Sequence, residues 1–473
     1  MPFLLISAFL LAIAYPMIGT TAAVGVLVCS QILLLAKEIR TGQITGVGGF
    51  IFMSILFFSV RPIYMVIEKD YTLFTKLFLI RVDLTEVTSA VWWASLALWC
   101  FAVGAAAVPV WNRRRLLERW QRNKSVTTRL DVRPAYIWVT LGLQVATMPV
   151  MFVLVIYGRR LYRSALGAYA YDLPVVLQSI HVLAVVIAVA QWTKCRDLRS
   201  GVPVALSGGM LLVFAYLMRD VSNFRSFYIM GLLIAGFAVL QILKGRVGYA
   251  WLIVPVIFFQ PLFQYLGQQR GMQNEELLEE GVLEQVVPDK SIADAYWNFY
   301  GYDGDMNIFD TFVAAKRSEP AYYPYVWSWL YVPLHFVPRA LWKAKPKGGI
   351  TQDGSFTRGA PYSCGIAGFF LLDGGLLWML GSMFVLGYLV SMADWWVLTL
   401  PRGYLRCCLI GVLTVNGMLL SRFFLWQYFY QVLYYVTPIL LLSWWIAKMS
   451  GKSTASRRSS HRRPRPSAAP VGA

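Results

Sequence analysis

Residues 87–110 read VTSAVWWASLALWCFAVGAAAVPV, 24 positions without one Asp, Glu, Lys or Arg, and the chain then passes into Trp111-Asn112-Arg113-Arg114-Arg115. A hydrocarbon core of roughly 30 Å takes about 20 helical residues to cross, so this stretch is long enough for a bilayer, and the arginine run closes it at one face. The same alternation of apolar run and basic connection extends over most of the 473 residues. The chain is 58% hydrophobic, 15% aromatic and only 14% charged, with a mean hydropathy of +0.56. A soluble core cannot absorb that much apolar sequence, which makes the fold class an all-α polytopic integral membrane protein.

About twelve spans are expected. The first two, near 2–17 and 20–36, are separated by Pro16-Met17-Ile18-Gly19-Thr20, a turn signal. The opening run lacks the charged start of a signal peptide and leads straight into a second apolar segment, so it reads as retained. The remaining spans fall near 44–60, 87–110, 134–157, 173–192, 203–218, 227–242, 248–267, 364–391, 403–421 and 424–447. These group into an N-terminal bundle over 1–267, a large loop over 268–362, three C-terminal spans over 363–447 and a disordered basic tail over 448–473.

Orientation follows from Lys and Arg in the short connections. With the N-terminus inside, the inner segments are 37–40, 113–133, 194–199, 244–246, 402–406 and the tail, and each is basic. Residues 113–133 alone carry eight Lys or Arg against Glu118 and Asp131. These segments explain much of the +19 net charge. Both termini are thereby cytoplasmic, and an Arg-rich tail beside a membrane points to anionic headgroups rather than to nucleic acid.

The opposite face is built differently. Residues 268–362 hold twelve of the 24 acidic residues and only nine Lys or Arg. An acidic helix is expected through Glu284. It is followed by the aromatic and acidic stretch 296–305, an amphipathic run over 307–316, and an apolar, aromatic run over 322–338 that would lie at the bilayer surface. A membrane-resting cap over an outward-facing cavity fits this pattern.

Five of the six cysteines fall in spans or on the inner side, leaving Cys364 alone near the outer face, so a structural disulfide is not expected. No CxxC pair or His cluster points to a metal, and His181 reads as a polar group within a span. There is no GxxxxGK[ST] and no GxGxxG after a strand, so no nucleotide cofactor is expected, and any driving force comes from a gradient or an activated substrate.

Against this background Arg225, Arg339 and Arg422 stand out, because they sit at span ends on the face where basic residues should be scarce. A guanidinium at a bilayer edge costs solvation energy unless it meets an anion, and its planar fork suits carboxylate or phosphate. For any single arginine, snorkelling to headgroups or pairing with a neighbour such as Asp220 is the alternative.

The layout, with many spans and one large late loop, resembles the Wzy family of oligosaccharide repeat-unit polymerases. The local patterns carrying the resemblance are Val221-Ser222-Asn223-Phe224-Arg225-Ser226, Val337-Pro338-Arg339-Ala340-Leu341-Trp342-Lys343-Ala344-Lys345-Pro346, Ala360-Pro361-Tyr362-Ser363-Cys364-Gly365 running to Leu372-Asp373-Gly374-Gly375, and Leu419-Leu420-Ser421-Arg422. They cover about forty residues. Asp373 stands where the family often has an aromatic, which leaves open whether it has a role or ends a helix.

The resemblance implies a glycosyltransferase of GT-C-like architecture in the bacterial inner membrane, working on its periplasmic side on O-antigen, capsule or exopolysaccharide. It would move a growing glycan from undecaprenyl pyrophosphate to the terminal sugar hydroxyl of a lipid-linked repeat unit. Such an enzyme works beside a flippase and a chain-length regulator. Its leaving group is a lipid pyrophosphate, whose developing charge a metal-free site must meet with clustered cations. Arg225, Arg339 and Arg422 are the candidates, with Arg219 beside them and Arg159, Arg160 and Arg163 adding to the field. The base for the acceptor hydroxyl would be His335, four residues before Arg339, or one of Asp303, Asp305 and Asp310. Trp297, Tyr300 and Tyr302 would stack on sugar faces, although aromatic anchors are equally expected beside a membrane. An O-antigen ligase or a flippase of lipid-linked sugars shares much of this pattern.

Overall fold

The structure is a computed structural model and describes residues 19–40, 45–69, 72–75, 78–112, 134–162, 167–221, 225–244, 308–317, 327–335, 364–401, 403–422 and 425–460, with single positions at 118, 337 and 342. Within these residues the chain forms helices α1 (Thr20–Arg40), α2 (Gly46–Phe58) and α3 (Val60–Glu68), a hairpin of β1 (Thr72–Thr75) and β2 (Phe78–Arg81), then α4 (Leu84–Trp111), α5 (Pro134–Tyr162), α6 (Gly167–Cys195), α7 (Leu198–Val221) and α8 (Arg225–Lys244). After 307 come α9 (Ile308–Arg317), α10 (Trp327–His335), α11 (Gly365–Leu398), α12 (Tyr404–Leu420) and α13 (Leu425–Ser460).

Among the described residues, seven helical segments are long and apolar enough to cross a membrane, and three shorter apolar helices, 21–34, 229–244 and 404–420, lie among them. The chain is a multi-pass membrane protein. Ten of the twelve expected spans coincide with these helices, while 2–17 and 248–267 lie outside the described residues. Large apolar side chains left uncovered, among them Leu377, Ile156, Trp138 and Leu212, are what a lipid solvent would select. The spans differ in depth within the bundle: the α6 span is 83% buried, whereas those of α5, α7 and α13 are 33% buried. A helix wrapped on all sides by others sits at the centre, and α6 packs on α5, α7, α8 and α13.

Among the described residues two large apolar cores result, with a small third cluster of Ala315, Cys364, Phe369 and Leu372. One joins α5–α8 with α12 and α13, and the other joins α1–α4 with α9 and α11. Helix α12 connects the two, because it packs on α8 on one side and on α2 on the other. The tightest crossing is that of α4 and α11. A Cβ on Gly104 would lie 2.0 Å from the Phe384 carbonyl oxygen, and one on Gly387 would lie 2.0 Å from that of Phe101, so the two backbones meet where neither helix has a side chain. Buried polar groups are tied across helices: Gln144 Nε2 lies 3.2 Å from His181 Nδ1 and Thr147 Oγ1 lies 2.8 Å from His181 Nε2, joining α5 to α6.

Three features differ from expectation. The span near 44–60 does not end there: after a break at Ser59 the chain re-enters a helix over Val60–Glu68 with Arg61 and Pro62 in its first turn. The short hairpin at 72–81 pairs Thr72 with Arg81 through Thr75 with Phe78, although no Gly or Asn marks its turn. Helix α13 continues as helix to Ser460, past its apolar portion, which ends at Ile446.

Candidate functional site

Two sets of contacts define one end of the bundle. Gly365, at the start of α11, lies against Ser421 after α12, Ile308 at the start of α9 and Phe58 at the end of α2. The Gln178 side chain of α6 accepts from the Tyr435 hydroxyl of α13 and lies against Gly231 of α8, so the first halves of those three helices share one level. Because α12 ends where α13 begins, both sets belong to the same end. Alternation of the chain then sends the C-termini of α1, α4, α6, α8 and α11, which lead to the basic connections, to the other end.

Arg225 is the first residue of α8, Arg219 lies two residues before the end of α7, and Arg422 is two residues past α12. These three expected anion ligands therefore stand at the end away from the basic connections. Arg422 is half-buried, and its backbone N–H donates to the Leu419 carbonyl at 3.0 Å in the turn that closes α12. Arg159 and Arg160 fall in the last turn of α5, at the same end. Arg339, Arg163, Trp297, Tyr300, Tyr302, Asp303 and Asp305 lie outside the described residues.

Helix α9, expected as an amphipathic run, is present and docked. Its Asp310 is fully buried, and Arg61 Nε donates to both carboxylate oxygens, at 3.1 and 3.2 Å. Arg61 is itself 1% exposed and lies 5.3 Å over the Tyr64 ring. Two contacts at the other end of α9 reinforce the dock: Arg317 pairs with Glu86 of α4 at 2.7 Å, and Lys316 reaches Ser89 and sits over the Trp93 ring. Asp310, one of the expected base candidates, is thus the buried counter-ion of an arginine in the first turn of α3. A base has to touch the hydroxyl that it deprotonates, and here both Asp310 oxygens face Arg61.

Helix α10 lies beside a break in α11. Gly374 and Gly375 leave helical geometry there, and Gly375 has φ +74°, a conformation that costs a residue with a Cβ. Asp373, the last residue before the break and 2% exposed, accepts a hydrogen bond from the Ser328 backbone N–H at 2.9 Å. Trp329 stacks on Phe370 from one arm of α11, with ring centroids 5.8 Å apart and planes 7° from parallel. Its indole N–H donates to Ser382 on the other arm at 3.1 Å. Tyr331 meets Trp426 of α13 edge-on. His335 closes this helix.

The sequence patterns did not single out Arg61, because it looks like an ordinary basic residue at a span end. Its neighbour Pro62, which favours the first turn of a helix, was the available signal that the chain resumes a helix there. Among the described residues no group of three His, Cys, Asp or Glu is placed to hold a metal. Compared with protein-family models, curated proteins and solved structures, the chain matches none.

Proposed function

We propose that this chain is a membrane glycosyltransferase that polymerises lipid-linked oligosaccharide repeat units on the periplasmic side of a bacterial inner membrane. In this reading the bundle has about twelve spans in a GT-C-like arrangement. The acceptor sugar hydroxyl attacks the anomeric carbon of the donor glycan, the bond from that carbon to the pyrophosphate oxygen breaks, and undecaprenyl pyrophosphate leaves with the bonding pair. The hydroxyl proton passes to a base, for which His335 at the end of α10, Asp303 and Asp305 are the candidates.

The observation that carries this reading is the grouping of Arg219, Arg225 and Arg422 at the end of the bundle opposite the basic connections. Arg225 opens α8, and a helix N-terminus presents free backbone N–H groups and a partial positive charge, so arginine and helix favour the same anion. Helices α9 and α10, docked at that end, supply the cap that keeps water from the reacting centre.

The test is the glycan profile of cells lacking the gene and complemented with wild type, Arg225→Ala, Arg339→Ala or Arg422→Ala, with membrane levels matched. Single repeat units on surface lipid, with long chains restored by wild type alone, are the expected result. Undecaprenyl-linked units held on the cytoplasmic face would instead identify a flippase. Long lipid-linked polymer with no surface glycan would identify a ligase.

A further inference from the structure

We infer that Asp373 is a positioning residue: it caps α10 from across the break in α11 and thereby sets where His335 stands. The inference rests on the glycosyltransferase reading for the role of His335, but the docking that it describes does not.

A helix begins with backbone N–H groups that have no partner within it, and a Ser, Thr, Asp or Asn just before it normally accepts from one of them. Helix α10 is preceded by Tyr325-Val326, and Val326 has no side-chain acceptor. The acceptor comes instead from Asp373, 45 residues away, whose Oδ2 takes the Ser328 N–H at 2.9 Å. The carboxylate also brings negative charge to the positive end of the helix.

In a helix a side chain leans back over the turn before it, so Asp373 faces the first arm, and the non-helical Gly374 and Gly375 divide α11 into two arms directly after it. Helix α10 contacts both arms, with Phe370 and Asp373 on one and Ser382 on the other. The Leu372-Asp373-Gly374-Gly375 pattern is therefore one device, in which the glycines divide the helix and the aspartate fixes what lies across its arms. With its first turn fixed at Ser328 and Trp329 and its middle held by Tyr331 against Trp426, the nine-residue α10 delivers His335 to a defined place.

The test uses full-length protein carrying Val332→Cys, a half-buried position on α10, as a reporter of docking. An impermeant maleimide is applied to intact cells, and the signal of the chain that keeps Val332 is subtracted. With Asp373→Ala added, labelling of the introduced thiol is expected to rise about tenfold and polymer to be lost, whereas Asp373→Asn, which keeps an acceptor oxygen at that reach, is expected to stay within about threefold of the reporter parent in both. Asp373→Ala that labels like the reporter parent overturns the inference, as does a freed reporter thiol with polymer unchanged. If deleting the gene leaves every glycan unaltered while the reporter thiol still responds to Asp373→Ala, the glycosyltransferase reading falls and the cap stands.

Discussion

Arg61 and Asp310, 249 residues apart, form an ion pair with 1% and 0% of their side chains exposed. The pair ties the first turn of α3 to α9, which lies within the residues between the two groups of spans. Breaking one partner leaves an uncompensated charge in an apolar surround, which costs about 3–5 kcal/mol, whereas replacing both with apolar residues of similar volume is often neutral. Arg61→Met and Asp310→Leu singly are therefore expected to lower the unfolding midpoint in detergent strongly, and the double variant to recover most of the loss. Polymer made by the double variant would place Asp310 in the architecture; its loss in a protein as stable as wild type would return Asp310 to the chemistry.

The α4–α11 crossing predicts a sharp contrast among glycines. Gly104→Ala or Gly387→Ala puts a methyl 2.0 Å from a backbone carbonyl oxygen, and the two helices must separate. Overpacking of this kind costs about 1–3 kcal/mol, occasionally more. Gly208, inside α7, has nothing within 4 Å of an added Cβ. Alanine there gains about 0.5–1 kcal/mol of helix preference. Thermal unfolding of the three purified variants is expected to order Gly208→Ala at or above wild type and the other two well below it.

Cysteine chemistry gives an independent check of burial at the capped end. Cys364 stands just before α11 with no exposed surface, and burial pushes its thiol well above the ordinary range. The thiolate is the nucleophile, so a thiol whose pKa is raised stays protonated and unreactive as pH climbs past neutrality. A small maleimide at pH 7 and at pH 9 is expected to leave Cys364 unmodified in folded protein and to reach it after unfolding. Cys195, exposed at the opposite end of the bundle, is expected to label in the folded protein. Mass spectrometry of the two peptides reads both.

The spans were legible because they depend on a local property, apolar length. Arg61–Asp310 and Asp373–Ser328 were not. Each joins residues far apart in sequence, and what matters is which carboxylate meets which donor after packing, a relationship that no window of sequence contains. Asp310 shows the limit well: its place on an amphipathic helix was readable, but the buried side of that helix faces Arg61 rather than open space. Asp373 drew notice through the two glycines after it, and only the docked α10 gives that aspartate something to do.

Arg225 offers a way to separate stability from function. It is the first residue of α8, where a cation opposes the helix dipole and costs about 0.3–1 kcal/mol at an exposed site. A residue retained for stability alone would not be placed there, so Arg225→Ala is expected to leave the unfolding midpoint unchanged or slightly raised. If its guanidinium stabilises pyrophosphate as that group departs, the same variant loses turnover by about 10²–10³-fold, the scale seen when one preorganised donor is removed. Arg225→Lys keeps the charge and loses the fork, and its turnover is expected to fall between wild type and Arg225→Ala. Purified protein with lipid-linked repeat units, assayed for chain growth alongside thermal unfolding, measures both quantities on one preparation. A drop in the unfolding midpoint that parallels the loss of chain growth would make Arg225 structural and remove it from the proposed site.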